Sequence, residues 1–231
     1  MKKYVLLLFV VACATTEFTY SQYAPPGKET NKWVELFDGK TLNGWRKASR
    51  DTLPDETWFA EKGVLTFDPS KGHGGDIITT STFKNFELSL QFKVSEGGNS
   101  GIKYFIFPNS SLGCEYQIID DEKHADASLG KNGNRKTGSL YDVIPADPAK
   151  KYKPAGEWNT ARIVAVGNHV EHWLNDAKVL EYERGSEQFK QAIAESKFKT
   201  TKNFGEASTT PILLQAHGDK VSFRKIKIKE L

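Results

Sequence analysis

A carboxylate on a strand, followed at once by a loop crowded with acids, a histidine and an arginine, is the part of this 231-residue chain best equipped for chemistry. Cys114 to Ile119 alternates as a short strand, with Glu115 and Gln117 on one face. The loop after it carries Asp120, Asp121, His124, Asp126, Asn134 and Arg135, and closes on Thr137-Gly138-Ser139-Leu140-Tyr141. Packing between two strands does not ask for that density of polar groups. Loops longer than about 12–15 residues in a compact domain are functional or disordered, and the apolar strands that bracket this one argue against disorder. A strand carboxylate with loop acids, one imidazole, one guanidinium and one phenol suits a polar, hydroxyl-rich ligand.

Strand alternation extends the set. If Tyr116 and Ile118 enter a core, Glu115 and Gln117 project the other way. If Ile212 and Leu214 go inward, Gln215 and His217 project outward. Lys103 is out of phase with Ile102 and Tyr104. In His169 to Leu174 the phase is open: His172 joins either Val170 and Leu174 or the solvent side, with Trp173 on the opposite face. Glu115, Gln117, Lys103, Gln215 and His217 therefore line one sheet face. Amides and carboxylates bond sugar hydroxyls in pairs, and Trp or Tyr rings stack on the apolar face of a pyranose.

Other chemistries lack their spacing. Asp120-Asp121-Glu122 has neither the loop pattern that holds calcium nor the His-Glu-x-x-His of a zinc helix. There is no Gly-x-Ser-x-Gly elbow. His73 lies in a glycine-rich turn without the helix a phosphate cradle needs. Retaining glycosidases place two carboxylates about 5 Å apart, yet the residue two along from Glu115 is Gln117, so this strand does not supply the pair.

The elements that must position these groups are strands. Phe86, Leu88, Leu90, Phe92 and Val94 alternate with Glu87, Ser89, Gln91 and Lys93, which is an antiparallel strand with one face in a core. Further strands are read at Val34–Phe37, Thr57–Phe59, Val64–Phe67, Ile77–Thr79, Gly101–Phe107, Cys114–Ile119, Ala161–Val166, His169–Leu174, Lys178–Tyr182, Ile212–Ala216 and Val221–Lys229. Turn residues separate them, among them Asn43-Gly44, Gly97-Gly98-Asn99 and Gly167-Asn168. Ser186 to Ser196 is the exception, a short surface helix started by Ser186. Many short strands with regular turns mean an all-β sandwich or barrel.

Met1-Lys2-Lys3 followed by an apolar run to Ala14 reads as a signal peptide, 1–21, too short to span a bilayer. A second reading takes Val10-Val11-Ala12-Cys13 as a lipobox, which would anchor Cys13 to a lipid. Either way the protein is expected to be exported, to the periplasm or the outer membrane. An extended leader at 22–32 precedes one domain of about 200 residues, 33–231. The net charge of +3 is nearly balanced and its lysines are scattered, so no nucleic-acid partner is expected. Cys114 is the sole cysteine besides Cys13 and reads as a small buried hydrophobe.

Nine segments in order resemble the 3-keto-disaccharide hydrolase family. They are LFDGKTLNGW at 36–45, GGDI at 74–77, FEL at 86–88, GGNSGI at 97–102, EYQIID at 115–120, GSLY at 138–141, GEWN at 156–159, EHWLN at 171–175 and LQ at 214–215. Asn175-Asp176 stands where the family often has Asn-Gly, and Ala216 where it often has an acid. The resemblance implies a concanavalin-like jelly-roll β-sandwich of two antiparallel sheets. It also implies action on glycosides already oxidised at carbon 3, with a non-catalytic carbohydrate-binding module as the alternative. The ketone acidifies the proton on carbon 2; a base removes it and the enolate expels the glycosidic oxygen. That scheme needs a tuned base, here Glu115 or His172, and a group to hold the enolate oxygen, here Lys103 or a divalent cation. Asp120, His124 and Arg135 would belong to the loop over the site, with Gln117, Tyr141, Trp173, Gln215 and His217 binding sugar.

Overall fold

In a computed structural model of the chain, residues 31–231 are described. The expected signal peptide, the alternative anchor at Cys13 and all but the last two residues of the 22–32 leader lie outside them. Thirteen strands and one helix follow in order: β1 Val34–Glu35, β2 Trp45–Lys47, β3 Trp58–Glu61, β4 Val64–Phe67, β5 Ile77–Thr79, β6 Phe86–Val94, β7 Asn99–Tyr104, β8 Cys114–Ile119, β9 Asn159–Val166, β10 His169–Leu174, β11 Ala177–Glu183, α1 Glu187–Ala194, β12 Leu213–Leu214 and β13 Val221–Glu230. No helix among the described residues is long and apolar enough to cross a membrane.

The strands form two antiparallel sheets. One runs β11-β10-β9-β6-β13-β4-β3, with β1 pairing residues 227–228 of β13. The other runs β2-β5-β12-β7-β8. The core lies between them. β6 shows why: Phe86, Leu88, Leu90, Phe92 and Val94 are all buried while the intervening residues are half-buried. Each such side chain contributes about 1.5–3 kcal/mol on burial. Trp45, Tyr104, Tyr116, Phe92 and Phe223 fill the same space. Trp45 and Trp58 satisfy their ring N–H groups on Leu36 O (2.6 Å) and Gly75 O (2.9 Å), so both large rings enter the core without an orphan donor.

The strands differ from the sequence reading mainly at their ends. β7 begins two residues early, at Asn99, and stops at Tyr104 because Phe105 turns to φ 48°. β12 is only two residues, and β2, between the Gly44 turn and the loop that follows, was not anticipated. α1 is capped as expected, with Ser186 Oγ accepting from Phe189 N at 3.1 Å.

β8 is buried along its whole length on both faces. Tyr116 and Ile118 enter the core, and the other face is covered in turn by the loop from Asp120 to Tyr141 and by the segment after α1. That covered face of β12, β7 and β8 carries the polar groups.

Candidate active site

Register builds the centre of the site. Lys103 of β7 stands directly opposite Glu115 of β8, and Gly101 opposite Gln117. Lys103 Nζ lies 3.6 Å from Glu115 Oε2, with little of either side chain exposed. Gln215, just past β12, bridges the pair. With its nitrogen toward Glu115 Oε1 (3.3 Å) and its oxygen toward Lys103 Nζ (3.2 Å), donors meet acceptors. Gly101 makes the room: a Cβ there would fall 2.8 Å from Cδ of Glu115 and 2.9 Å from its Cγ.

These residues floor a cavity of about 100 Å³, walled by Asn99, Gln117, Tyr141, Lys197, Phe198 and His217. Ligand pockets usually measure about 300–1,000 Å³, so this one is too small to enclose a whole ligand. A larger cleft of about 670 Å³, bounded by Arg46, Arg50, Ile78, Ile106 and Asn109, lies on the same sheet. The row Arg46–Ile78–Leu213–Lys103–Glu115 runs from one to the other. Of the two, the smaller alone holds a buried carboxylate.

Burial pushes the Glu115 carboxyl above the usual range, while Lys103, Lys197 and His217 pull it down and Asp76 adds to the rise. Tyr141 rises too, through burial and its hydrogen bond to Asp126 (2.7 Å). Asp126 is lowered, since the bonds from Tyr141 and Arg135 outweigh its burial.

The structure brings Glu115, Lys103, Gln117, Tyr141, Gln215 and His217 together around this cavity. Gln117 Nε2 donates to Asn99 Oδ1 (3.3 Å), and its buried Oε1 has no partner among the described residues, an acceptor left for a ligand hydroxyl. His124 stands at the mouth, its ring edge-on to His217 at 6.3 Å between centroids.

Four expected site residues are elsewhere. His172 is fully buried between the sheets: Nδ1 donates to Gly138 O (2.8 Å) and Nε2 accepts from the Tyr104 hydroxyl. Burial takes its pKa to about 4, so it is a neutral core group and no base for a ligand. Trp173 points to the opposite surface, under the Arg162 guanidinium (3.9 Å) and bonded to Glu171. Asp120 accepts from the backbone N–H groups of Gly97, Glu122 and Lys123, which makes it a loop cap. Arg135 does not fold over Glu115. It ties Asp126 (2.6 Å) to Asp142 behind Tyr141.

Lys197, Asn99 and Gly101 were not anticipated as site residues. Asn99 sits in a stretch that reads as a turn, Gly101 opens a strand with no side chain to mark it, and Lys197 follows a surface helix with nothing around it to signal a role.

His124, His217 and Asp219 bring one donor atom each within 4.8 Å of one another, residue types that suit Zn²⁺ or Mn²⁺. His124 Nδ1 accepts from Asp126 N (3.1 Å), however, so its neutral ring carries the proton on Nε2. Metal-ligating histidines donate from the other nitrogen instead. As arranged, the set offers two free ligands rather than the three of a catalytic zinc site, and does not fit a resident cation.

A family model described as 3-keto-alpha-glucoside-1,2-lyase-like domain matches residues 32–229. The chain is 40% identical to a 3-keto-disaccharide hydrolase of Bacteroides thetaiotaomicron, covering 88% of this chain and 80% of that one. A candidate glycosyl hydrolase from Parabacteroides distasonis superposes with a TM-score of 0.75 at 30% identity, over 87% of this chain and 95% of that one. A second from the same organism gives 0.69 at 32% identity, over 87% and 100%.

Proposed function

The chain belongs to the family of 3-keto-alpha-glucoside-1,2-lyase-like domains, and on that footing we propose that it cleaves the glycosidic bond of 3-keto-glycosides through an enolate. The observation that carries this reading is the charge pattern of the cavity: one carboxylate, Glu115, with lysines at positions 103 and 197 around it. Oxocarbenium chemistry asks for two carboxylates. Proton abstraction next to a ketone asks for one base and cationic donors.

Glu115 takes the proton from carbon 2. Its raised pKa makes it a stronger base than a solvated carboxylate. Lys103, beside it on the floor, donates to the ketone oxygen as negative charge develops there, and Gln215 keeps both groups in register. The enolate then expels the oxygen on carbon 1. Water adding to carbon 1, with the proton returned to carbon 2 by Glu115, completes a net hydrolysis. Gln117 Oε1 accepts from a ring hydroxyl.

The test follows aglycone release from nitrophenyl glucoside and from its 3-keto derivative. Release from the keto form alone is expected, with a primary isotope effect from deuterium at carbon 2. Glu115→Gln should lower kcat by about 10²–10⁴-fold. Equal release from both substrates, or an unchanged Glu115→Gln rate, would overturn the reading. Loss of release on chelation would assign the ketone oxygen to a cation instead of Lys103.

A further inference from the structure

Lys197 reaches the cavity from the wall opposite the strands. Its backbone N–H donates to Asp142 Oδ2 at 2.7 Å. Asp142 holds Arg135, Arg135 holds Asp126, and Asp126 accepts from the Tyr141 hydroxyl. The Lys197 ammonium lies over the Tyr141 ring, 4.1 Å from its centre, and 5.2 Å from that of Phe198. Two aromatic faces and a backbone tether thus fix a lysine that forms no salt bridge among the described residues. As a residue it is exposed, so it stands at the rim where a leaving group departs to solvent.

The reaction proposed above has three reacting positions in a row. Carbon 2 loses a proton, carbon 3 carries the oxygen that becomes an enolate, and carbon 1 releases an alkoxide. A base at carbon 2 therefore needs donors on two sides. Glu115 has them, Lys103 on the strand floor and Lys197 at the rim. The first is spoken for by the ketone oxygen. Among the described residues the loop wall of the cavity offers the leaving oxygen no other charged donor, because Arg135 is committed to Asp126 and Asp142.

We propose that Lys197 is the general acid that protonates the departing glycosidic oxygen. The C1–O bond breaks with its electron pair going to oxygen, the ammonium supplies the proton, and the aglycone leaves as a neutral alcohol. Neutral Lys197 then takes a proton from the water that adds to carbon 1, while Glu115 returns its proton to carbon 2. Both groups end as they began, and no oxidant or reductant enters. Burial against the rings draws the Lys197 pKa down, in the direction that eases proton donation, while Glu115, Asp142 and Asp126 hold it up. Its exposed face limits that shift.

The assignment rests on the 3-keto-glycoside reading, and its test separates the two. Nitrophenyl and methyl 3-keto-glucosides are compared with Lys197→Met and Lys197→Arg. Nitrophenolate leaves unaided, and methoxide does not. Lys197→Met should lose about 10²–10⁴-fold on the methyl substrate and at least about ten-fold less on the nitrophenyl substrate, whose leaving group needs no proton. The ratio of the two rates is taken on one preparation, so a partly unfolded variant does not disturb it. Arginine keeps the charge but holds its proton far too tightly to give it up, so Lys197→Arg should fail on the methyl substrate as methionine does. An equal fall on both substrates, or rescue by arginine, overturns the assignment and leaves the reading intact. Wild-type protein inert on both refutes the reading, and the assignment falls with it.

Discussion

Gly101→Ala should disable the enzyme while leaving it folded. Gly101 is a strand residue outside the left-handed region, so alanine meets no backbone strain there. Its methyl would meet the Glu115 side chain instead, 2.8 Å from Cδ where ordinary contact begins at 3.4 Å, and nearer still to Oε1. The carboxylate must move by something approaching 1 Å, and a misplacement of that size costs about 10²-fold in rate. That is about 2.7 kcal/mol of barrier. Stability responds to two opposed effects. Overpacking costs about 1–3 kcal/mol, and alanine in a strand returns about 0.5–1 kcal/mol relative to glycine. Because a flexible side chain yields rather than backbone, a Tm within about 5 °C of wild type is expected. Turnover of a 3-keto-glycoside is then measured for Gly101→Ala, Glu115→Gln and the double variant. If the methyl acts only by displacing Glu115, the double variant is no slower than Glu115→Gln alone. Wild-type turnover in Gly101→Ala would refute the requirement for Glu115 where it lies. A further hundred-fold loss in the double variant would show that the methyl acts on something else.

His172 predicts a pH signature of stability. Its pKa falls from 6.5 in the unfolded chain to about 4 in the folded one. Above the upper value neither state takes the proton. Between the two values only the unfolded chain binds it, so stability falls by about 1.4 kcal/mol per pH unit as the medium acidifies. Urea midpoints should show about 2 kcal/mol less stability near pH 5 than near pH 7.5 from this group, and His172→Gln should remove that part of the slope; an unchanged slope refutes it. Asp142→Asn keeps one acceptor oxygen, so it removes the buried negative charge beside Arg135 and sets an NH2 donor against either Arg135 Nε or the Lys197 amide. A loss of about 2–4 kcal/mol in chemical denaturation is expected, with a fall in kcat as Tyr141 and Lys197 lose their anchor, and wild-type values for both would show the tether to be idle.

The sheets were legible because burial on one face leaves a period of two. Phe86 to Val94 needed no further information, and neither did the cap at Ser186, whose hydroxyl has only one job before an apolar helix face. Short strands were not legible. Trp45-Arg46-Lys47 is a strand because β5 pairs with it, and Leu213-Leu214 because β5 and β7 flank it. Three residues carry no period, and long-range pairing decides their conformation. The end of β7 is set by a backbone turn at Phe105 that its type disfavours.

For the site, alternation placed side chains on a face but said nothing of what covers that face. Glu115 and Gln117 were correctly opposed to Tyr116, yet they are as buried as it is, because a loop and the segment after α1 close over them. Whether a polar residue faces water or a cavity is a tertiary fact, and it decides the pKa on which the base depends. His172 shows the converse. A histidine inside a motif is compatible with chemistry or with packing, and the two differ only in which sheet face the strand turns inward; Tyr104 and Gly138 settle it by taking both ring nitrogens. Lys197 was invisible for a third reason. Its position is fixed through its backbone, by Asp142, a loop residue at φ 61° whose own charge is balanced by Arg135. The loop acids and arginine that first drew attention therefore do serve the site, but at one remove. They hold Tyr141, which the sequence offered, and Lys197, which it did not, as a fixed wall facing Glu115. A search for ligand contacts within the loop finds Tyr141 and its supports but misses Lys197, which those supports also hold.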